Sequence, residues 1–548
     1  MTVKRQILRS ATLIGFVTLI SRICGYLRDQ RVTFLLGTSP AADAFILAFR
    51  IPNLIRRMTG EGALGASFIP VFAGYLREKP REEALRFAQK MFWDTAVILA
   101  VVAAAGCIFS KEVVRIFTLF GGVQAHWELA VFLNRIIFPC VFFVGLAALA
   151  AAILNTFLVF GLPASTTILF NLAVIVFSFG AMYRPILRWT PAEYRSPAVA
   201  LAVGVLAGAA AQLVVQIPAL ARRGMKFMPA ISFGDPGVRR IGRLVGPAFF
   251  GMGMYQINFF MDTIFATSRR MPAGSVASLY VADRVMELVL GSYAIAMSTA
   301  LLPTMSRQAA AGKFGEMKST FTFSMRIVSF ITVPSAVGLM VLRTPIVQVL
   351  FQHGRFTADS TALTARALLY YALGLPAYGA LKMVTPMYFS MQDTLTPARV
   401  GAYALAVNIA LNATILLLFF RFFTNGGPAL ASSLAAYFYF LLLFWIFRER
   451  YGQLGARGLA GSLAKVAVCA AAMAAAASLG LRLTHFAGMT HVLEQAGALA
   501  GMIGVSVGVY FGVAWLLRCR ELGEFLLLFR RGEAVYEGPA IEGGGSGL

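Results

Sequence analysis

About fourteen apolar runs, each near the ~20 residues that cross a bilayer as a helix, fill this chain from end to end. A lipid interior has no water to bond a backbone amide, so such runs fold as helices that satisfy their own backbone. Their centres fall near Phe16, Leu64, Leu99, Val144, Ala173, Leu206, Met254, Leu290, Ile331, Tyr371, Ile409, Ala436, Ala472 and Ser506. The expected class is an all-α polytopic membrane protein. Only 13% of the 548 residues are charged, about half the ~25% of a soluble domain. The start, MTVKRQILRS, leads into the first span without a small-residue cleavage site.

The net charge of +24 would suit nucleic acid, but its distribution argues otherwise. Basic residues collect in alternate connections: Lys4, Arg5 and Arg9; Arg77, Lys79, Arg81 and Arg86; Arg222, Arg223 and Lys226; Arg448, Arg450 and Arg457; Arg518 and Arg520. The positive-inside rule then puts both termini in the cytoplasm and makes the charge a matter of topology. Cys24, Cys107, Cys140, Cys469 and Cys519 are scattered without a CxxC pair and read as small buried apolar residues. The four histidines form no metal pattern, and no phosphate-binding glycine loop or nucleophile motif appears. The chain reads as a transporter rather than an enzyme, with no nucleic-acid partner.

A weak internal repeat organises the spans. ALGASFIPVFAGY resembles SYAIAMSTALLPTMSRQ, which sets Pro70 against Pro303, 233 residues on. AAILNTFLVFGLPAS resembles TPMYFSMQDTLTPAR, which sets Pro163 against Pro397, 234 residues on. Two matches at nearly one offset predict two six-span halves of like orientation. The expected division is 1–220 for the first lobe, 221–455 for the second, 456–520 for two added spans, and 521–548 for a tail ending in a Gly/Ser-rich linker.

Charges inside several spans carry the functional signal, because a charge at membrane depth costs at least ~2.5–3.5 kcal/mol and normally faces protein or a hydrated cavity. In ADAFILAFRIPNLIRRMTGEGALGASFIPVFAGY (Ala42 to Tyr75), Arg50, Asn53, Arg57 and Glu61 share a helical face, and Pro52 and the glycines let the helix bend. Arg22 and Asp29 share a face of the first span, with Arg28 to one side or just past its end. Asp283, Arg284 and Glu287 lie within one turn of the eighth. Asp262 in the seventh span, with Asn408 and Asn412 on one face of the eleventh, has two readings: oxygen ligands for sodium, or hydrogen bonds between helices. Lys382 reads equally as an anion contact or a local partner. His353 and Arg355, in FQHGRFT, read as structural.

SRICGYLRD, the Ala42–Phe72 stretch, AAILNTF, ADRVMELVLG, LLPTMS, LFQHGRFT and FSMQDTLTP together resemble the MurJ/MviN family, lipid II flippases of the MOP superfamily. One departure is Val281, where the family often has an aromatic residue. The resemblance implies two six-helix lobes around a central cavity, with two C-terminal helices bordering an apolar groove. It implies movement of undecaprenyl-diphosphate-linked disaccharide-pentapeptide from the cytoplasmic to the periplasmic leaflet of the bacterial inner membrane. It further implies cavity residues Arg22, Arg28, Arg56 and Arg284, with Asp29 and Asp43 as neighbouring acids. Membrane lipids and cell-wall synthesis proteins are the partners it admits. Sodium is the coupling ion considered, and no other cofactor is expected. The rivals are another MOP-type transporter (an O-antigen-type flippase or a drug/cation antiporter), an enzyme acting on polyprenyl phosphates, and a cell-wall scaffold.

Overall fold

The computed structural model describes residues 3–58, 64–118, 127–452, 456–489 and 491–524; the side chains of 3–16, 51, 55–58, 64, 66, 181, 244–256, 292–296, 299–300, 456–457 and 487 fall outside the description. The helices are α1 (Val3–Leu36), α2 (Pro40–Met58), α3 (Leu64–Glu78), α4 (Arg81–Ile108), α5 (Ser110–Phe117), α6 (Trp127–Ile137), α7 (Cys140–Thr156), α8 (Gly161–Phe177), α9 (Gly180–Trp189) and α10 (Pro197–Val214). They continue as α11 (Ile217–Arg222), α12 (Pro236–Ala266), α13 (Ser275–Ala310), α14 (Phe314–Phe351), α15 (Ala358–Ser390), α16 (Leu395–Leu418), α17 (Phe420–Phe423), α18 (Gly427–Tyr451), α19 (Ala456–Leu483) and α20 (Val492–Leu516).

All fourteen expected centres fall within helices, each in a different one. Among the described residues, nine stretches are long and apolar enough to cross a membrane, or ten if α8 and the end of α9, bent by 69°, form one span. The expected spans outside that set are those centred at Phe16, Leu64, Met254 and Leu290, in α1, α3, α12 and α13. They include the runs that the sequence marks by internal charge. Polarity lowers their hydropathy, and the same polarity builds the site.

The repeat is visible in backbone geometry. Pro163 and Pro397 are each the third residue of their helix. Before them, Leu158 and Gln392 both take left-handed conformations, φ 60° and 62°. In each turn the following amide closes a six-residue ring onto the helix end: Val159 N–H to Leu154 C=O at 2.9 Å, and Asp393 N–H to Tyr388 C=O at 3.1 Å. This bond satisfies a carbonyl that the helix terminus leaves without a partner. Every atom pair in the second turn lies 234 residues beyond its counterpart in the first.

Contacts divide the chain into two compact units, each assembled from separated segments. One holds residues 1–285, 346–371 and 398–435. Within it, α8 packs between α10 and α1. A Cβ on Gly208 would lie 2.9 Å from the Phe170 carbonyl oxygen, and one on Gly204 would lie 3.1 Å from Val174 Cα. Small residues four apart allow this close approach, which is how membrane helices gain packing energy. Gly208→Leu should therefore lower the thermal midpoint of unfolding in detergent, for a loss of about 1–3 kcal/mol. Gly501→Leu, where no atom lies within 4 Å of the added carbon, should leave it unchanged.

The same unit straps the connection 223–235 to α4. Asp94 accepts from the Ser232 amide at 2.8 Å, and Lys90 meets Asp235 at 2.9 Å. Asp235 also caps α12 through the Gly237 amide. Burial alone would raise its carboxyl, but Lys90 and the helix amides outweigh that and hold it below the usual carboxylate range.

The second unit holds residues 286–345, 372–397 and 436–548. Its core joins Phe330 of α14 to Val466, Cys469 and Met473 of α19 and to Tyr510 and Ala514 of α20. The Tyr510 hydroxyl donates to the Phe330 carbonyl at 2.7 Å. Cys469 and Cys519 are buried here as expected.

Candidate functional site

The first unit contains a cleft enclosing about 480 Å³, lined by Arg50, Asn53 and Leu54 of α2, Phe259 and Phe260 of α12, and Tyr280, Asp283 and Arg284 of α13. The polar stripe of the second expected span thus meets the charged turn of the eighth.

Behind one wall lies a chain of charges. α1 continues through residue 36, so Arg28 sits well inside the helix. That corrects the expectation that it lies at or past the end: the first span is simply longer than one bilayer crossing requires. Arg28 donates from Nε and Nη2 to one oxygen of Asp29, at 3.0 and 2.7 Å. Its Nη1 donates to Asn171 of α8 at 3.0 Å. The Tyr280 hydroxyl donates to the same Asp29 oxygen at 3.1 Å. The other Asp29 oxygen lies 3.7 Å from Arg284 Nε. The Arg284 guanidinium lies 4.9 Å from the centre of the Tyr280 ring, one turn back on α13. Asp29 is thus a buried carboxylate, 6% exposed, set between two arginines from different helices. Such burial is tolerable only when the charge is paired and hydrogen-bonded.

Three guanidiniums (Arg28, Arg50 and Arg284) stand against two carboxylates (Asp29 and Asp283) in the cleft and its wall. The balance favours an anion. Arginine's planar fork matches the oxygens of phosphate and carboxylate.

Of the expected site residues, Arg28, Asp29 and Arg284 are brought together. Arg22 lies on α1, partly buried, and does not line the cleft. Arg56 belongs to α2, but its side chain lies outside the described residues. Asp43 serves elsewhere: its two oxygens accept from the Gly274 and Ala277 amides at 2.7 and 2.8 Å, at the start of α13. There it caps the helix that carries Asp283 and Arg284 and complements its dipole. Tyr280 and Asn171 were missed by the sequence reading. The one available signal was a lone polar group in each apolar run, Tyr280 standing one turn from Arg284.

Asp262, Asn408 and Asn412 also meet, at 0%, 0% and 2% exposure. The two amide nitrogens donate to one Asp262 oxygen at 3.4 and 3.3 Å. Ser432 and Tyr371 donate to the other at 2.5 and 3.4 Å. All four groups donate, so the set as it stands is a hydrogen-bond network. Turning both amides would present their oxygens beside Asp262 and Ser432 Oγ, a donor set suited to a hard cation. Among the described residues no cluster of three or more His, Cys, Asp or Glu side chains is placed to hold a metal.

Residues 32–497 match the family described as Lipid II flippase MurJ. The chain belongs to the MurJ family. A probable lipid II flippase MurJ of Vibrio cholerae is 33% identical over 95% of this chain and 98% of its own length. The lipid II flippase MurJ of Burkholderia cenocepacia is 31% identical over 72% of this chain and 75% of its own. In fold, the chain is similar to a MurJ structure in an inward closed conformation, at TM-score 0.74 and 24% identity, covering 92% of this chain and 98% of that one. It is also similar to an inward-facing MATE-family multidrug transporter of the MOP superfamily, at TM-score 0.62 and 15% identity, covering 77% and 94%. Multi-pass membrane character follows from the family and the apolar helices together.

Proposed function

We propose that this MurJ-family chain moves lipid II from the cytoplasmic to the periplasmic leaflet of the inner membrane by alternating access. The observation that carries this reading to particular residues is Asp29 held between Arg28 and Arg284 beside a cationic cleft. A diphosphate on a carboxylate-bearing peptide needs cationic compensation in a low-dielectric site, and forked guanidiniums supply it. Arg22, Arg28, Arg56 and Arg284 are the proposed headgroup cations. Asp29 positions two of them, and Asp43 positions α13. The polyprenyl tail needs only an apolar surface. The proposed lobes are residues 1–220 and 221–455, rocking about a midplane site, with 456–520 beside them and both termini cytoplasmic. The excess of arginine over carboxylate disfavours an organic-cation antiporter, despite the likeness to a MATE transporter. No bond of the substrate is broken, so the activity is transport rather than catalysis.

Sodium is the proposed coupling ion. Asp262 would supply the carboxylate, and the turned amides of Asn408 and Asn412 the neutral oxygens. A cation crossing the field supplies about 2.3 kcal/mol per 100 mV.

The test is binding of purified protein in nanodiscs to lipid II, undecaprenyl phosphate and an unrelated anionic lipid. Lipid II should bind at least about tenfold tighter than either, equivalent to ~1.4 kcal/mol. Equal binding of all three would overturn the headgroup reading.

A further inference from the structure

Arg50 stands where two polar systems of the first unit meet. On one side it lines the cleft with Asn53, Tyr280 and Arg284. On the other, its Nη1 donates to the Phe259 carbonyl at 2.8 Å and to the Thr263 hydroxyl, both on α12. Thr263 adjoins Asp262, whose carboxylate lies within electrostatic reach of the Arg50 charge. Asp262 in turn gathers donors from α15, α16 and α18. A guanidinium carries five N–H donors in a rigid fork and keeps its proton. Both contacts with α12 are made by Nη1, which leaves Nε and Nη2 to an anion in the cleft. One positive charge therefore answers two negative ones: the Asp262 carboxylate and a phosphate oxygen.

We propose that Arg50 is a positioning residue that couples anion binding in the cleft to the charge at Asp262. The proposal goes beyond the headgroup reading and rests on it. A phosphate entering the cleft draws the guanidinium toward itself, and Asp262 loses part of its compensating field. Coupling of this kind is reciprocal. If the anion makes Asp262 more receptive to a cation, neutralising Asp262 must tighten anion binding by the same factor. The fork is essential to the device. A lysine has a single nitrogen and can serve α12 or the phosphate, but not both in one geometry.

The experiment is a double-mutant cycle on the full-length protein in nanodiscs, read as lipid II affinity. Asp262→Asn in the otherwise unchanged protein should tighten binding about fivefold, the lower end of typical coupling between sites. In the Arg50→Gln background the same change should alter affinity by less than about twofold. Arg50→Lys should bind lipid II within about threefold of the parent and yet lose the response to Asp262→Asn; it decides the matter if Arg50→Gln does not fold. An equal response to Asp262→Asn with and without Arg50 would overturn the coupling. Arg284→Gln separates the two readings. Unchanged binding in that variant sinks the headgroup assignment itself, whereas weakened binding with equal Asp262 responses sinks only the role of Arg50. A purely structural Arg50 would lower the thermal midpoint without making the Asp262 response depend on it.

Discussion

Arg28→Ala should weaken lipid II binding about 100-fold, equivalent to ~2.8 kcal/mol, while the protein still folds. Two effects act together. The substitution removes a guanidinium whose charge-assisted bonds are each worth ~1.5–3 kcal/mol. It also frees Asp29 from its nearest counter-charge, so the carboxylate draws on Arg284, now 3.7 Å away, and competes with the substrate for it. Tyr280 continues to donate to Asp29, which limits the cost to the fold. Arg28→Lys keeps the charge but cannot bond Asp29 and Asn171 through separate nitrogens as the guanidinium does. It should fall between, at about tenfold. Affinity and thermal midpoint are measured on the same preparations. A lowered midpoint with binding within about threefold of the parent would make Arg28 a helix-packing residue and remove it from the headgroup site.

The second large effect is expected at Asp262, and on stability. Asp262→Ala strands the amides of Asn408 and Asn412 and the hydroxyls of Ser432 and Tyr371, all of which donate to the carboxylate in a fully buried setting. Each unsatisfied buried donor costs ~1–3 kcal/mol. Partial re-pairing is available, since Asn412 also donates to the Asn408 oxygen and Asn408 to Ser432. The net loss should be about 3–5 kcal/mol, typical of breaking a buried polar network. Asp262→Asn retains one acceptor oxygen and should cost about 1 kcal/mol. Thermal unfolding in detergent checks both. If Asp262→Ala matches the parent, the four donors have other partners and the network contributes nothing to folding.

The helical fold was legible because the bilayer leaves an apolar run little choice. Each expected span centre falls in its own helix, and the charged spans proved to be those that carry the site. Proximity across helices was legible only where the charge pattern was strong. Arg284 could be singled out because a charge in an apolar run needs a reason. Asn171 could not, because one amide among FNLAVIVF has an ordinary structural use. Asp43 shows the opposite limit. A buried-span acid looks like a site residue in sequence, but its partners are amides 231 and 234 residues away, which no local pattern reveals. The position of Arg28 was misjudged because sequence marks where a span can end, not where the helix does.

The left-handed turns at Leu158 and Gln392 bear on how the chain arose. Glycine is the usual occupant of that conformation, yet neither copy uses it, and the two side chains differ. What the copies share is the hydrogen-bonded path of the main chain. After a gene of half this length was doubled, that path persisted at the connection while the helices on either side went separate ways. One half came to hold Arg28 and Asp29, the other Asp262 and its amides. Division of labour between once-identical halves is thus written in the polar residues, and common descent in a turn that none of them touches.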